Sequence, residues 1–194
     1  MLCPYCRGPL RENSPECPAC RLNLERAAKL LGPLPRIDPA VSDDTDALLP
    51  AEKKSLRKRI DKIEYRFPQV RVQVVFRHFP DEHPLSLHTF WLFNLVGFGS
   101  ETEKGSENRA VLLVIDPVRH DASLMVGYGL EPFLSDEELD DVLGMAESAW
   151  QSKDWAGGVD VIFDALEALL ERGAKRVAFA FGLSPRLGSG RGKK

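Results

Sequence analysis

The stretch AVLLVIDPVRHDASLMVGYGLE, residues 110–131, decides the fold. Ala110–Ile115 is a continuous apolar run, as expected of a central strand covered on both faces. Asp116-Pro117-Val118-Arg119-His120-Asp121 reads as a turn, and Ala122–Val126 returns as the next strand, giving an antiparallel hairpin. Gly127-Tyr128-Gly129 follows, where glycine permits unusual backbone angles or close approach of another segment.

Working upstream, Val70–Phe79 alternates and is rich in β-branched residues, which predicts a second strand. Between it and the hairpin, Pro84 and Ser86 open a helix through Leu87, Phe90, Trp91, Phe93 and Leu95. A helical connection predicts a parallel, right-handed crossover between the two strands. Before them, Leu56, Ile60, Ile63 and Phe67 recur at helical spacing from Ala51 to the stop at Pro68. Downstream, Ser135 and Glu138 have capping-box spacing, and Leu139, Val142, Leu143 and Ala146 form the core face of the helix they start. A last helix runs from Trp155 to Arg172, with Gly173 at its C′ position. Residues 177–181 form either a further strand or a hydrophobic tail. The fold class is therefore α/β: a mixed sheet of three or four strands flanked by helices.

The 194 residues are 43% hydrophobic and 28% charged, which excludes a disordered chain. No apolar run approaches the roughly 20 residues of a membrane span. The net charge of −3 is a cancellation. Residues 52–67 carry seven Lys/Arg against three acids, residues 172–194 carry seven and no acid, and residues 131–171 carry twelve Asp/Glu and one Lys. Such stripes read first as solvated faces and second as docking surfaces.

All four cysteines lie in the first 20 residues, as Cys3-Pro-Tyr-Cys6 and Cys17-Pro-Ala-Cys20. Two C-x-x-C knuckles supply a closed tetrahedral shell of thiolates, the pattern of structural zinc; an iron site of rubredoxin type and two disulfides are the alternatives. So short a module cannot bury a core, and the metal would supply its folding free energy. The chain opens without the charged and apolar regions of a secretory signal, so a cytoplasmic location is expected. Residues 1–22 are thus expected to be a zinc ribbon. Residues 23–50, with four prolines between 32 and 50, read as a short helix and an extended linker. Residues 51–173 read as the α/β domain, and residues 174–194 as an edge segment and a disordered basic tail.

The second unit resembles the TPM domain family. The resemblance rests on the basic amphipathic helix, the Val-rich strand and Trp91-Leu-Phe-Asn94 with Gly97 and Gly99. It continues through Gly127-Tyr-Gly-Leu-Glu131, Leu134-Ser-Asp136 and Asp154-Trp155 with Gly157-Gly158, and it covers residues 51–171. It implies an α/β sandwich. Some members are acid phosphatases associated with a divalent cation, and others are accessory proteins. The chain departs from the family in carrying a four-cysteine module where members carry an export signal, and Val118-Arg119 where an Asp-Arg pair is common.

Topology places one candidate site. The loop before Ala110 and the turn after Val126 belong to the same end of the sheet, so Glu101, Glu103, Glu107, Asn108, Glu131 and Asp136 are expected to converge there. Hard oxygen donors suit Ca²⁺ or Mg²⁺, and Glu131 and Asp136 are the candidates for catalysis of phosphoryl transfer. The competing reading is that Asp136 and Glu137 only favour a helix N-terminus. His78, His83, His88 and His120 show no metal-site spacing and read as surface or turn residues. The expectation is a non-catalytic accessory protein that docks a protein partner, with a divalent-cation-dependent phosphatase as the alternative. The acidic helices argue against nucleic acid as the partner.

Overall fold

In a computed structural model, residues 2–10, 14–95 and 108–180 are described. Strands β1 (Val41–Asp43), β2 (Arg71–Phe76), β3 (Ala110–Asp116) and β4 (Asp121–Val126) form one sheet in the order β1-β2-β3-β4. The first three run parallel, and β4 is antiparallel to β3, with Val111 opposite Val126 and Asp116 opposite Asp121. All seven residues of β3 are buried, as its continuous apolar run predicts for a strand covered on both faces.

The two faces carry separate cores. Val72, Val74 and Phe76 with Val111, Leu113 and Ile115 pack under α2 (Pro50–Arg66) and a long C-terminal helix. Val75, Leu112 and Val114 pack against α3 (Leu85–Leu95), beneath α1 (Leu24–Leu31) and the cysteine module. Since β1, β2 and β3 are sequential, parallel neighbours while α2 and α3 cover opposite faces, the two crossovers have opposite hands. One of them is the rarer left-handed kind.

Beyond the hairpin come α4 (Asp136–Met145), α5 (Glu147–Gln151) and α6 (Trp155–Ala180). The capping box at the start of α4 is present in full: Ser135 Oγ accepts from Glu138 N, and Glu138 Oε2 accepts from Ser135 N. The sequence reading needs two corrections here. The stretch 32–50, expected as an extended linker, contains β1; of residues 177–181, expected as a strand or tail, 177–180 continue α6, and residue 181 with the expected basic tail lies outside the described residues. Gly173 lies within that helix and does not end it; a Cβ there would approach Phe133 Cβ to 3.1 Å, so the residue serves close packing. A glycine inside a helix costs only about 1 kcal/mol, which the packing of a long amphipathic face offsets.

Part of the basic helix meets part of the acidic one. Arg59 of α2 pairs with Asp164 and, at 2.6 Å, with Glu167 of α6; Arg66 pairs with Glu167 and Glu171. The basic helix and the acidic helix are two sides of one packed seam. Among the described residues, no helix is long and apolar enough to cross a membrane.

Candidate metal centre and acidic cleft

Each cysteine pair folds by the same local rule. Arg7 N donates to Cys3 O and Cys3 N to Gly8 O; Arg21 N donates to Cys17 O and Cys17 N to Leu22 O. Arg7 and Arg21 both take left-handed backbone angles, with φ of 58° and 57°. The unit Cys-Pro-x-Cys-Arg is thus used twice, a repeat visible in the sequence once its equal spacing is noticed.

The two knuckles face one another. Cys3 Sγ lies 3.7 Å from Cys20 Sγ, and Cys6 Sγ lies 3.7 Å from Cys17 Sγ. All four sulfurs lie within 4.8 Å of one another. A disulfide needs about 2.05 Å, so these are not bonded pairs. A tetrahedron with metal–sulfur bonds of about 2.3 Å has edges of about 3.8 Å. The cluster is therefore shaped to chelate a single tetrahedral ion. Among the described residues it is the one convergence of three or more His, Cys, Asp or Glu ligand atoms.

The thiols do not titrate alike. The Cys20 N–H holds the Cys17 thiol down at about 6. Burial pushes Cys3 above its ordinary value and Cys20 up to about 12. Four thiolates this close ionise together only when a cation compensates them.

The module is built into the domain. Cys3, Cys17, Leu22 and Ala27 join the core that contains Leu87, Trp91 and Leu92 of α3. Ser86 Oγ donates to Pro4 O at 2.6 Å, and the Tyr5 ring meets His83 edge-on at 5.8 Å.

Between the module, α3, β4 and α4 opens a cleft of about 550 Å³. Glu131 and Asp136 both line it. Burial, and then the charge of Glu131, pushes the Tyr128 phenol above its ordinary value. Asn108 is brought to the same end of the sheet, as the topology predicts. Its carbonyl accepts from Gly129 N at 2.8 Å, while its Oδ1 accepts from Ala110 N at 2.9 Å and so opens β3. The glycines of the turn exist for this approach: a Cβ on Gly127 would stand 2.7 Å from Asn108 Oδ1 and 2.8 Å from its carbonyl carbon. Glu101, Glu103 and Glu107 lie outside the described residues.

Two buried groups escaped the sequence reading. His88, expected at the surface, is 4% exposed, packs on Phe79 at 4.6 Å and has its pKa lowered to about 4 by burial. Its helical position among Leu87, Trp91 and Leu92 was the available signal. Asp116 is fully buried at the end of β3, where it accepts from the backbone N–H of Phe79, Val118 and Arg119, with His78 Nδ1 at 3.1 Å. It is the buried anchor of the hairpin turn.

A family model described as a TPM domain matches residues 41–169. The solution structure of the N-terminal domain of a P.gingivalis protein is similar, with a TM-score of 0.60 and 24% identity. The match covers 70% of this chain and 83% of that one. The N-terminal domain of a Corynebacterium glutamicum protein is similar with a TM-score of 0.53 and 18% identity, covering 71% and 83%. At these identities the two structures speak for the fold. The search of curated proteins finds no match.

Proposed function

The chain belongs to the TPM domain family, and from that premise we propose that it is a non-catalytic interaction protein whose N-terminal module is held by one structural zinc ion. The observation that carries this reading is that the cysteine module packs into the core over α3 and forms a wall of the acidic cleft. A four-thiolate site leaves no coordination position for a substrate, so its role is to shape that wall. Zinc fits the donor set because it accepts four thiolates without redox chemistry or geometric penalty. Reduced thiolates suit the cytoplasm. The described residues lining the cleft include no histidine to activate a nucleophile. The pairing of Arg59 and Arg66 with α6 leaves less cationic surface for nucleic acid and favours a protein partner.

A second reading has one observation in its favour, the shared position of Glu131 and Asp136 in the cleft. With Glu107 and Asn108 they would hold Ca²⁺ or Mg²⁺ and support hydrolysis of a phosphomonoester. Hydrolysis of an aryl phosphate with Ca²⁺ or Mg²⁺ separates the two. The interaction reading expects no turnover above that of Glu131→Ala and Asp136→Ala. Metal-dependent turnover lost in both variants, with the fold intact by circular dichroism, overturns it.

A further inference from the structure

The sheet has two edges. One, β1, is three residues long and largely buried. The other, β4, runs six residues in unbroken register with β3. Gly127 N donates to Ala110 O, so Met125, Ser123 and Asp121 direct their backbone groups toward β3. Ala122, Leu124 and Val126 therefore turn their N–H and C=O groups away from the sheet. Among the described residues, none of these three has a backbone partner on that side. The strand carries no proline, lysine or bulge, the usual devices that protect an open edge.

All six residues of β4 line the cleft, although alternate side chains point to opposite faces of the sheet. Only a cleft running along the strand's edge meets them all. One wall is α4, with Leu139 and Leu143; the other is α3, with Phe90 and Phe93, capped by the cysteine module. A strand laid in the cleft would span about 20 Å and meet apolar side chains on both of its faces. The charged groups along it are Glu16, Asp121, Glu131, Asp136 and Asp140 against Arg7, an excess of acid even though Arg7 lies 3.8 Å from Asp140 and Arg119 lies 3.9 Å from Asp121.

We propose that the open edge of β4 accepts an extended, basic segment of a partner protein as a fifth strand. Its main chain bonds to Ala122, Leu124 and Val126, its apolar residues, all on one face, pack on the α3 wall, and its lysines or arginines, on the other face, meet the α4 wall that carries Asp136 and Asp140. This deepens the interaction reading and rests on it, but it is tested apart from phosphate turnover.

The test titrates the zinc-containing, ¹⁵N-labelled full chain with three synthetic peptides: alternating Lys-Val, alternating Glu-Val, and Lys-Val with alternate amides N-methylated. The Lys-Val peptide is expected to slow amide exchange at Ala122, Leu124 and Val126, and to bind about tenfold more tightly than either other peptide. The double variant Asp121→Lys, Asp140→Lys keeps the fold and, by bringing three acids against three bases, removes the preference between the charged peptides. Equal binding of Lys-Val and Glu-Val, undiminished binding after N-methylation, or shifts mapping away from β4 would each overturn the proposal. So would protection of the same amides in the chain alone. Protection that grows with protein concentration would make the occupant a second copy, and protection independent of it a segment of the same chain. Any of these results leaves the interaction reading to stand or fall on the turnover assay.

Discussion

Replacing glycine by alanine ordinarily stabilises a protein by about 0.4–1 kcal/mol, because the unfolded chain loses freedom. At Gly127 the structure reverses that sign. A Cβ there would stand 2.7 Å from Asn108 Oδ1 and 2.8 Å from its carbonyl carbon, and it cannot be relieved by turning a flexible side chain. Overpacking of this kind costs about 1–3 kcal/mol. Displacing Asn108 also strains the bonds from Gly127 N to Ala110 O and from Gly129 N to Asn108 O, each contributing about 1 kcal/mol. Gly127→Ala should therefore lose about 3 kcal/mol, which for a chain of this size lowers Tm by about 6–12 °C. Gly144 is the internal control: it lies in α4 with nothing within 4 Å of its would-be Cβ and no left-handed backbone angle. Gly144→Ala should raise stability by about 0.5–1 kcal/mol. Urea unfolding of the two variants beside the parent measures both changes. A Gly127→Ala protein as stable as the parent, or a Gly144→Ala protein that is less stable, refutes the close-approach argument.

Asp43 has a fully buried carboxylate that accepts from Thr45 N, Thr45 Oγ1 and Leu48 N, with Lys53 Nζ at 3.1 Å. Burial alone would raise its pKa, but the bonds from Thr45, Leu48 and Lys53 hold it below the ordinary value of 3.8. Its stabilisation is thus complete above the ordinary carboxylate range and disappears as pH falls through the lowered value; Asp43→Ala should cost about 2–4 kcal/mol at neutral pH, with the deficit shrinking under acid in urea titrations. A double-mutant cycle on Arg59 and Glu167 should give about 1 kcal/mol of coupling that weakens with added salt, and a coupling of zero would make the α2–α6 seam purely apolar. The imidazole of His88 should stay neutral at pH 5.5 and titrate near 4, followed by NMR of the ring nitrogens; because the unfolded chain would bind that proton near 6.5, His88 destabilises the fold as pH drops between those two values.

The hairpin of Ala110–Val126, the α2, α3 and α4 helices and the four-cysteine module were legible because each rests on a local signal: period, cap or spacing. Strand β1 was not. Val41-Ser-Asp43 is too short to show a period, and it lies among prolines and aspartates that read as a linker. Those aspartates have structural partners: Asp43 ties the turn into α2, and Asp44 pairs with Arg77 beyond β2. α6 continues through Gly173, whose hydrogen leaves room for Phe133, forty residues away in sequence, and no local rule reports such a neighbour. The basic and acidic stripes were visible as composition, but only the packing of α2 on α6 shows that they meet. Asn108 reached the turn at Gly127 as strand topology required, whereas the cleft along β4 follows from the sheet edge, the cysteine module and α4 together.

The claim on which the rest depends is that the four thiolates close around one zinc ion and leave no position open. X-ray absorption at the zinc edge on the purified full chain tests it directly. One zinc per chain is expected, with four sulfur neighbours at about 2.3 Å and no oxygen or nitrogen in the coordination sphere. A sphere with fewer than four sulfurs and an oxygen ligand, or a folded N-terminal module without zinc, contradicts it.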